Sequence, residues 1–248
     1  MKILVCISSV PETTSKINFT NNKTELDKSN MQFVINPYDE FGLTKAIMLK
    51  EQSGGEVTVI SVGEPSIEPV IRKALAIGAD NAVRINKIPK DSYSTAIEIA
   101  NYINNNSFDL IIAGRESIDY NGGSVPGIIA ELVDHPFINA CIKLDINDRH
   151  VDATREIDGG KEVLSTTLPI VIGGQKGLVQ ESELKIPNMR GIMQARTKSL
   201  QVIESIDNSN LTTSIEFSTP EKKGECKFID ANNVKELVDL LHQDEKII

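Results

Sequence analysis

Apolar residues in this chain come in short unbroken runs, separated by stretches whose apolar positions recur every three or four residues. Ile3-Leu4-Val5-Cys6-Ile7 and residues 110–113 are unbroken runs, and residues 56–62 and 81–85 are apolar clusters interrupted by Thr58, Ser61 and Arg84 that read as strands beside them. Runs of that length without polar alternation predict strands buried on both faces, as in a parallel sheet. Between them, Phe41, Leu43, Ala46, Ile47 and Leu49 mark one face of a helix that starts after Asn36-Pro37 and ends at Gly54-Gly55. Residues 67–77 predict a second helix, stopped by Gly78. Residues 92–104 predict a third, with Ala96, Ile97, Ile99, Ala100 and Ile103 on its inner face. Ile128, Ile129, Leu132 and Val133 stand at helical spacing and close a fourth unit. Strands alternating with helices over the first 135 residues predict right-handed βαβ units in an α/β, doubly wound, mostly parallel sheet.

Beyond Pro136 the pattern changes. Residues 150–156 and 163–168 alternate across Asp158-Gly159-Gly160, the signature of a β-hairpin extension, and residues 168–174 form another buried run. Residues 175–190 have no period and carry Pro187, so they predict a long surface loop. Residues 11–33 read as a polar surface excursion with a hairpin around Asn21-Asn22. Residues 204–227 read as an extended arm, followed by a last helix capped by Asp230 with Val234, Leu237, Val238 and Leu241 on one side. The chain thus divides into an α/β domain over residues 1–203 and a C-terminal arm and helix over residues 204–248. The helix either folds back on its own domain or lies on a partner chain, and the pattern leaves both open.

Candidate chemistry concentrates in residues 108–133, where a buried strand passes through a polar glycine loop into a helix. Gly122 and Gly123 remove side chains that would hold a ligand off the backbone, and Ser124 and Val125 present amide N–H groups at the positive end of the helix dipole. A phosphate suits that arrangement. The loop is neither a GxGxxG fingerprint nor a Walker A sequence, so a βα turn that uses glycine only to cap elements is the alternative. In doubly wound sheets ligands bind beyond the carboxyl ends of the strands. The loops after Cys6, before Tyr38, after Ser61 and after Ala113 would converge there, which favours a nucleotide over a plain turn.

Composition narrows the classes. A net charge of -9 and a pI near 5.0 argue against nucleic acid or an anionic membrane as the main partner. Cys6, Cys141 and Cys226 form no CxxC pair, which predicts a reducing compartment. No stretch reaches the roughly 20 apolar residues of a membrane span, and the expectation is a soluble, cytoplasmic protein. Aromatic residues make up only 4% and Trp is absent, which argues against a sugar-binding or base-stacking surface. His135, His150 and His242 lie in unlike contexts, so no metal site is expected. There is no GxSxG sequence and no Cys/His pairing. Asp39/Glu40 and Glu181/Glu183 read as a helix first turn and a solvated loop. Arg115 is the one nearby phosphate-handling candidate, expected to face solvent or a partner. These residues contain no catalytic constellation. A non-redox adenine-nucleotide sensor and a nucleotide-activating ligase or hydrolase remain alternatives.

Several stretches together carry a resemblance. They are residues 36–41 (Asn36-Pro37-Tyr38-Asp39-Glu40-Phe41), 72–80, 114–119 with Gly123-Ser124-Val125, 155–160 and 190–196. In order and spacing, from residue 1 to about 203, they resemble the β subunit of electron transfer flavoprotein, the FixA-like family. The resemblance implies an adenine-nucleotide α-hydrolase-like fold. It also implies a heterodimer whose α subunit holds most of a redox-active FAD, with the β subunit as its support and carrier of a second nucleotide. That nucleotide would be AMP in most of the family and a second FAD in the electron-bifurcating branch. Carried over by position, the cofactor contacts would be Cys6, Asn36, Pro37, Tyr38, Asp39, Val62, Gly114, Arg115, Glu116, Ser117, Asp119, Gly122, Gly123, Ser124 and Val125. The phosphate would lie against Gly123, Ser124 and Val125, and Tyr38 would approach the flavin. The family usually has Gln or Asn-Gln before a Thr or Val where Gly123-Ser124 stands here. Amide donation survives that change, but side-chain hydrogen bonds from a long amide do not. AMP is the expected ligand, with a second FAD as the alternative. Residues 175–196 resemble the family's recognition loop, with Met189 in the place of an anchoring Leu beside Pro187 and Ile192. The partners so implied are acyl-CoA dehydrogenase-type donors of fatty acid oxidation and a quinone oxidoreductase-type acceptor. The tail resembles the family in having an arm that packs on the partner subunit.

Overall fold

The computed structural model describes the chain apart from residues 21, 207, 208, 222, 244, 245 and 248. β1 (Lys2–Cys6) leads into a short antiparallel pair, β2 (Ser9–Pro11) and β3 (Phe33–Ile35), which delivers the chain to α1 (Pro37–Ser53). β4 (Glu56–Val62), α2 (Glu68–Ile77), β5 (Asn81–Asn86), α3 (Ser92–Asn104), β6 (Leu110–Gly114) and α4 (Val125–Leu132) then alternate. β7 (Phe137–Asn147), β8 (His150–Ile157) and β9 (Gly160–Thr167) follow as three successive strands, and β10 (Ile170–Gly174) returns to the middle of the sheet. α5 (Met189–Ala195), β11 (Leu200–Glu204) and α6 (Val234–Gln243) complete the order.

The main sheet has nine strands in the order β11-β5-β4-β1-β6-β10-β7-β8-β9. Every pairing from β11 through β7 is parallel, and the two beyond β7 are antiparallel. Strand alternation explains why both faces need helices. Ile3 and Val5 of β1 pack with Leu43, Ile47 and Leu75 from α1 and α2, whereas Leu4 and Cys6 pack with Ile99, Ile103 and Ile129 from α3 and α4. The central strands β6 and β10 are buried throughout. The fold is therefore the doubly wound, mostly parallel α/β sheet that the alternation predicts, with an antiparallel extension.

The structure adds elements that the pattern hides. β7 gives no clean alternation because its register shifts against both neighbours and Ala140 sits at a φ of 52°. β11 is short and half-exposed, and it is placed by pairing with β5 across the whole intervening chain. Residues 175–190 are not all surface: Gln175, Leu178 and Val179 are buried. α5 begins at Met189, where the Asn188 side chain accepts the Gly191 N–H at 2.8 Å. Gly191 looks like a helix breaker, but it lets α5 lie against the Ala76 carbonyl of α2, which a Cβ would strike.

The last helix starts differently from expectation. Asn233, not Asp230, caps α6: its Oδ1 accepts the Glu236 N–H at 3.4 Å and its amide donates to the Glu236 carboxylate at 2.8 Å. Asp230 closes the preceding turn through the Asn232 N–H at 2.8 Å. Asn21 of the expected hairpin lies outside the described residues; around it, Phe19 and Leu26 form an antiparallel bridge. Among the described residues no helix is long and apolar enough to cross a membrane.

Candidate functional site

The carboxyl ends of β1 and β6 are held together by the first turn of α1. Pro37 starts that helix and keeps Asn36 extended, so the side chains of Asn36 and Asp39 both point into the sheet end. Asp39 Oδ2 accepts the Ser8 N–H at 2.7 Å, and Oδ1 accepts the Gly114 N–H at 2.8 Å. Asn36 donates from Nδ2 to the Glu116 carbonyl at 2.8 Å and accepts the Ile118 N–H at 3.3 Å. One helical turn thus clamps two loops remote in sequence. Gly114 is required by this packing: a Cβ there would strike the Asp39 carboxylate and come within 2.7 Å of Tyr38 Cβ. Burial pushes the Asp39 carboxyl up to about 7, against the hydrogen bonds from Ser8, Asn36 and Gly114 that lower it. Asp39 is therefore no ordinary solvated first-turn acid. Burial, then the nearby Asp39 charge, raises the Cys6 thiol far above its usual range, which keeps it protonated and unreactive.

The glycine loop folds on itself first. Ser117 and Gly122 exchange backbone hydrogen bonds of 2.9 and 3.2 Å, and Asp119 accepts from the Ser117 hydroxyl and from the Tyr120 N–H, the latter at 2.9 Å. Ser117 and Asp119 thus spend their polar atoms on the loop itself. Gly122 has room for a Cβ, meeting only Ser92 Oγ at 3.8 Å, so no packing within the chain demands glycine there. Gly123 and Ser124 are exposed, and no hydrogen bond among the described residues takes up the N–H of Gly123, Ser124 or Val125. Ser124 precedes α4 without capping it through its side chain. The start of α3, capped by Asp91, stands beside the same loop through Ser92. The positive end of α4 therefore lies at Ser124 and Val125, while that of α3 is offset by the Asp91 carboxylate that caps it. Val62 and Val125, both half-buried, pack on the apolar cluster that contains Cys6 and Ala113, giving this polar rim an apolar floor.

Arg115 does not simply face solvent. Its guanidinium donates to Gln175 Oε1 at 2.9 Å, pairs with Glu116 at 3.0 Å and lies 6.0 Å from the centre of the Tyr38 ring. Gln175 in turn donates to Glu156 of the antiparallel extension. Burial, followed by the Glu116 charge, raises the Tyr38 hydroxyl above its usual range. Glu156, within the 155–160 stretch that carries the resemblance, and Gln175, at the head of the 175–196 segment, are not among the cofactor contacts that the resemblance implies.

Cys6, Asn36, Pro37, Tyr38, Asp39, Val62 and residues 114–125 thus gather at one end of the sheet. Met189 and Ile192 lie on α5 and Pro187 just before it, packed on α2. Arg72 donates to the carbonyls of Ala195 and Lys198 at 2.7 and 2.8 Å, and Lys198 Nζ donates to those of Leu75 and Ala79 at 3.0 and 2.6 Å. Met189 is 76% exposed, and Ile186 and Met193, not singled out from the sequence, are exposed with it. No group of three or more His, Cys, Asp or Glu side chains among the described residues is arranged to hold a metal ion.

Comparison with known proteins bears on this arrangement. Residues 25–208 match the family model described as the electron transfer flavoprotein domain. The chain is 36% identical to an electron transfer flavoprotein subunit beta of Bacillus subtilis over 263 aligned positions, covering 100% of both chains. It is 32% identical to the subunit of the same name from Syntrophomonas wolfei, covering 90% of this chain and 87% of that one. A protein FixA of Azorhizobium caulinodans is 33% identical over 69% of this chain and 65% of its own length. Matches that run the length of both sheet and loops leave one conclusion: this chain belongs to the electron transfer flavoprotein β-subunit family.

Proposed function

We propose that this chain is the β half of a heterodimeric, cytoplasmic electron transfer flavoprotein that binds an AMP of its own and supports an FAD held mainly by an α subunit. The observation that carries the AMP reading is the set of amide N–H groups on Gly123, Ser124 and Val125 at the start of α4, which find no acceptor among the described residues. Gly122 leaves the approach open, and Val62 and Val125 offer an apolar surface for a nucleoside. Asn36, Asp39 and Gly114 act one step back: the Asn36 and Asp39 side chains bond to the backbone of the loops after β1 and β6, Gly114 included, and hold those loops in position.

The flavin, once bound, supplies the electron-carrying chemistry. Tyr38, with the Arg115 guanidinium 6.0 Å from its ring centre, is the side chain of this subunit that would meet it. Met189, with Pro187 and Ile192 beside it, forms an apolar docking surface for an acyl-CoA dehydrogenase-type donor. Electrons then pass to a quinone oxidoreductase-type acceptor. α6 covers its apolar side on the α subunit.

The test is to denature the purified heterodimer and identify the released nucleotides by mass. One FAD with one AMP supports the proposal. Two FAD would assign the β site to a second flavin, in keeping with the missing long amide at Gly123-Ser124. Release of no flavin would overturn the reading.

A further inference from the structure

Residues 211–217, in the middle of the arm, form no helix or strand, yet both ends are tied to their own domain. At one end Asp91 Oδ2 accepts the N–H groups of Leu211 at 2.6 Å and Thr212 at 2.9 Å, while Oδ1 caps α3 through the Ser94 N–H at 2.8 Å. Desolvation acts to raise the Asp91 carboxyl, but these donors hold it down at about 2. At the other end the Phe217 N–H donates to the Lys23 carbonyl at 2.7 Å. The Phe217 ring stacks on Phe19 with centroids 5.2 Å apart and lies 6.3 Å from the Tyr120 ring. Phe217 is half-buried while Ile215, two residues earlier, is 86% exposed.

Both anchors adjoin the glycine loop. Tyr120 belongs to that loop, two residues before Gly122, and Ser92, the neighbour of Asp91, stands against Gly122 itself. Both ends of the segment therefore lie beside the loop. Its contacts are two backbone N–H hydrogen bonds to one carboxylate, one backbone–backbone hydrogen bond, and a cluster of three aromatic rings.

We propose that residues 211–217 are a strap across the glycine loop that retains the nucleotide bound there, with Asp91 as its fixed end and Phe217, Phe19 and Tyr120 as its latch. This rests on the nucleotide reading above. The strap offers no side-chain cation to a phosphate, so its effect falls on the rate of release rather than on recognition. An anion held by exposed amides at a helix start exchanges readily with solvent; a strap that must first unstack makes release wait on its opening.

The test is a chase experiment on the heterodimer loaded with labelled AMP and diluted into unlabelled AMP. Phe217→Ala removes both ring contacts and is expected to speed release about tenfold. Tyr120→Ala removes one contact from a side chain that is 68% exposed, and is expected to speed release about threefold. Should Phe217→Ala fail to assemble, Tyr120→Ala carries the test alone. Release from both variants at the wild-type rate overturns the strap. A wild-type heterodimer that takes up no AMP overturns the nucleotide reading instead.

Discussion

α1 and α6 both begin at an asparagine, and they end in opposite situations. At α1, Asn36 and Asp39 are almost fully buried, and their polar atoms bond to backbone groups from the loops after β1 and β6. At α6, Asn233 caps its own helix, no residue is buried, and Val234, Leu237 and Val238 are exposed on one side. The first helix start closes its account within the chain. The second satisfies its backbone locally but leaves its apolar side uncovered, as expected of a surface made for another chain.

The comparison breaks most sharply at Asp39. Asp39→Ala should cost roughly 3 to 5 kcal/mol in chemical denaturation, because the buried Gly114 N–H and the partly buried Ser8 N–H lose their acceptor and a cavity is left. The acid also sets a pH dependence. Its folded pKa of about 7 lies above the ordinary 3.8, so its contribution is fully present below about pH 4 and is lost as pH rises through 7. Asp39→Asn should remove that slope; a mutant whose stability follows pH as the wild type does would show that Asp39 is not the titrating group.

Next in size, Gly114→Ala drives a methyl group into Asp39 and Tyr38 and should cost about 2 to 3 kcal/mol, seen as a lowered Tm. A neutral result would mean that the clamp is looser than its hydrogen bonds imply. Gly191→Ala acts locally: it should lift α5 from the Ala76 carbonyl at about 1 to 2 kcal/mol, with faster amide exchange confined to residues 189–195. Exchange that rises throughout the sheet would make α5 part of the core instead of an attached surface element.

The smallest effect on this chain is expected at α6. Leu237→Asp should change its own stability by less than about 0.5 kcal/mol while weakening association with the α subunit in a pull-down. A large loss of stability in the isolated chain would show that the helix folds back, and the contrast between the two helix starts would disappear.

Some of this was legible in the chain itself. The βα alternation, the two-sided burial of β6 and β10, the bounds of α3 and the glycine loop all follow from local signals: apolar runs, helical spacing, and proline or glycine stops. Local signals failed where a neighbour made the decision. β7 carries a bulge that scrambles its alternation, β11 is a strand only because β5 lies beside it, and α5 tolerates Gly191 because α2 passes close by.

The candidate site divides along the same line. Period and residue type determined that a glycine loop would sit at the head of α4, because helix starts and glycine turns are set by a few adjacent residues. Which groups in that loop remain open was decided by tertiary structure alone. The Asn36 and Asp39 side chains bond to remote backbone, while the N–H groups of Gly123, Ser124 and Val125 find no acceptor among the described residues. The reason is that a hydrogen-bonding group is committed or left open by what folding brings within 3 Å of it, and sequence spacing does not encode that distance.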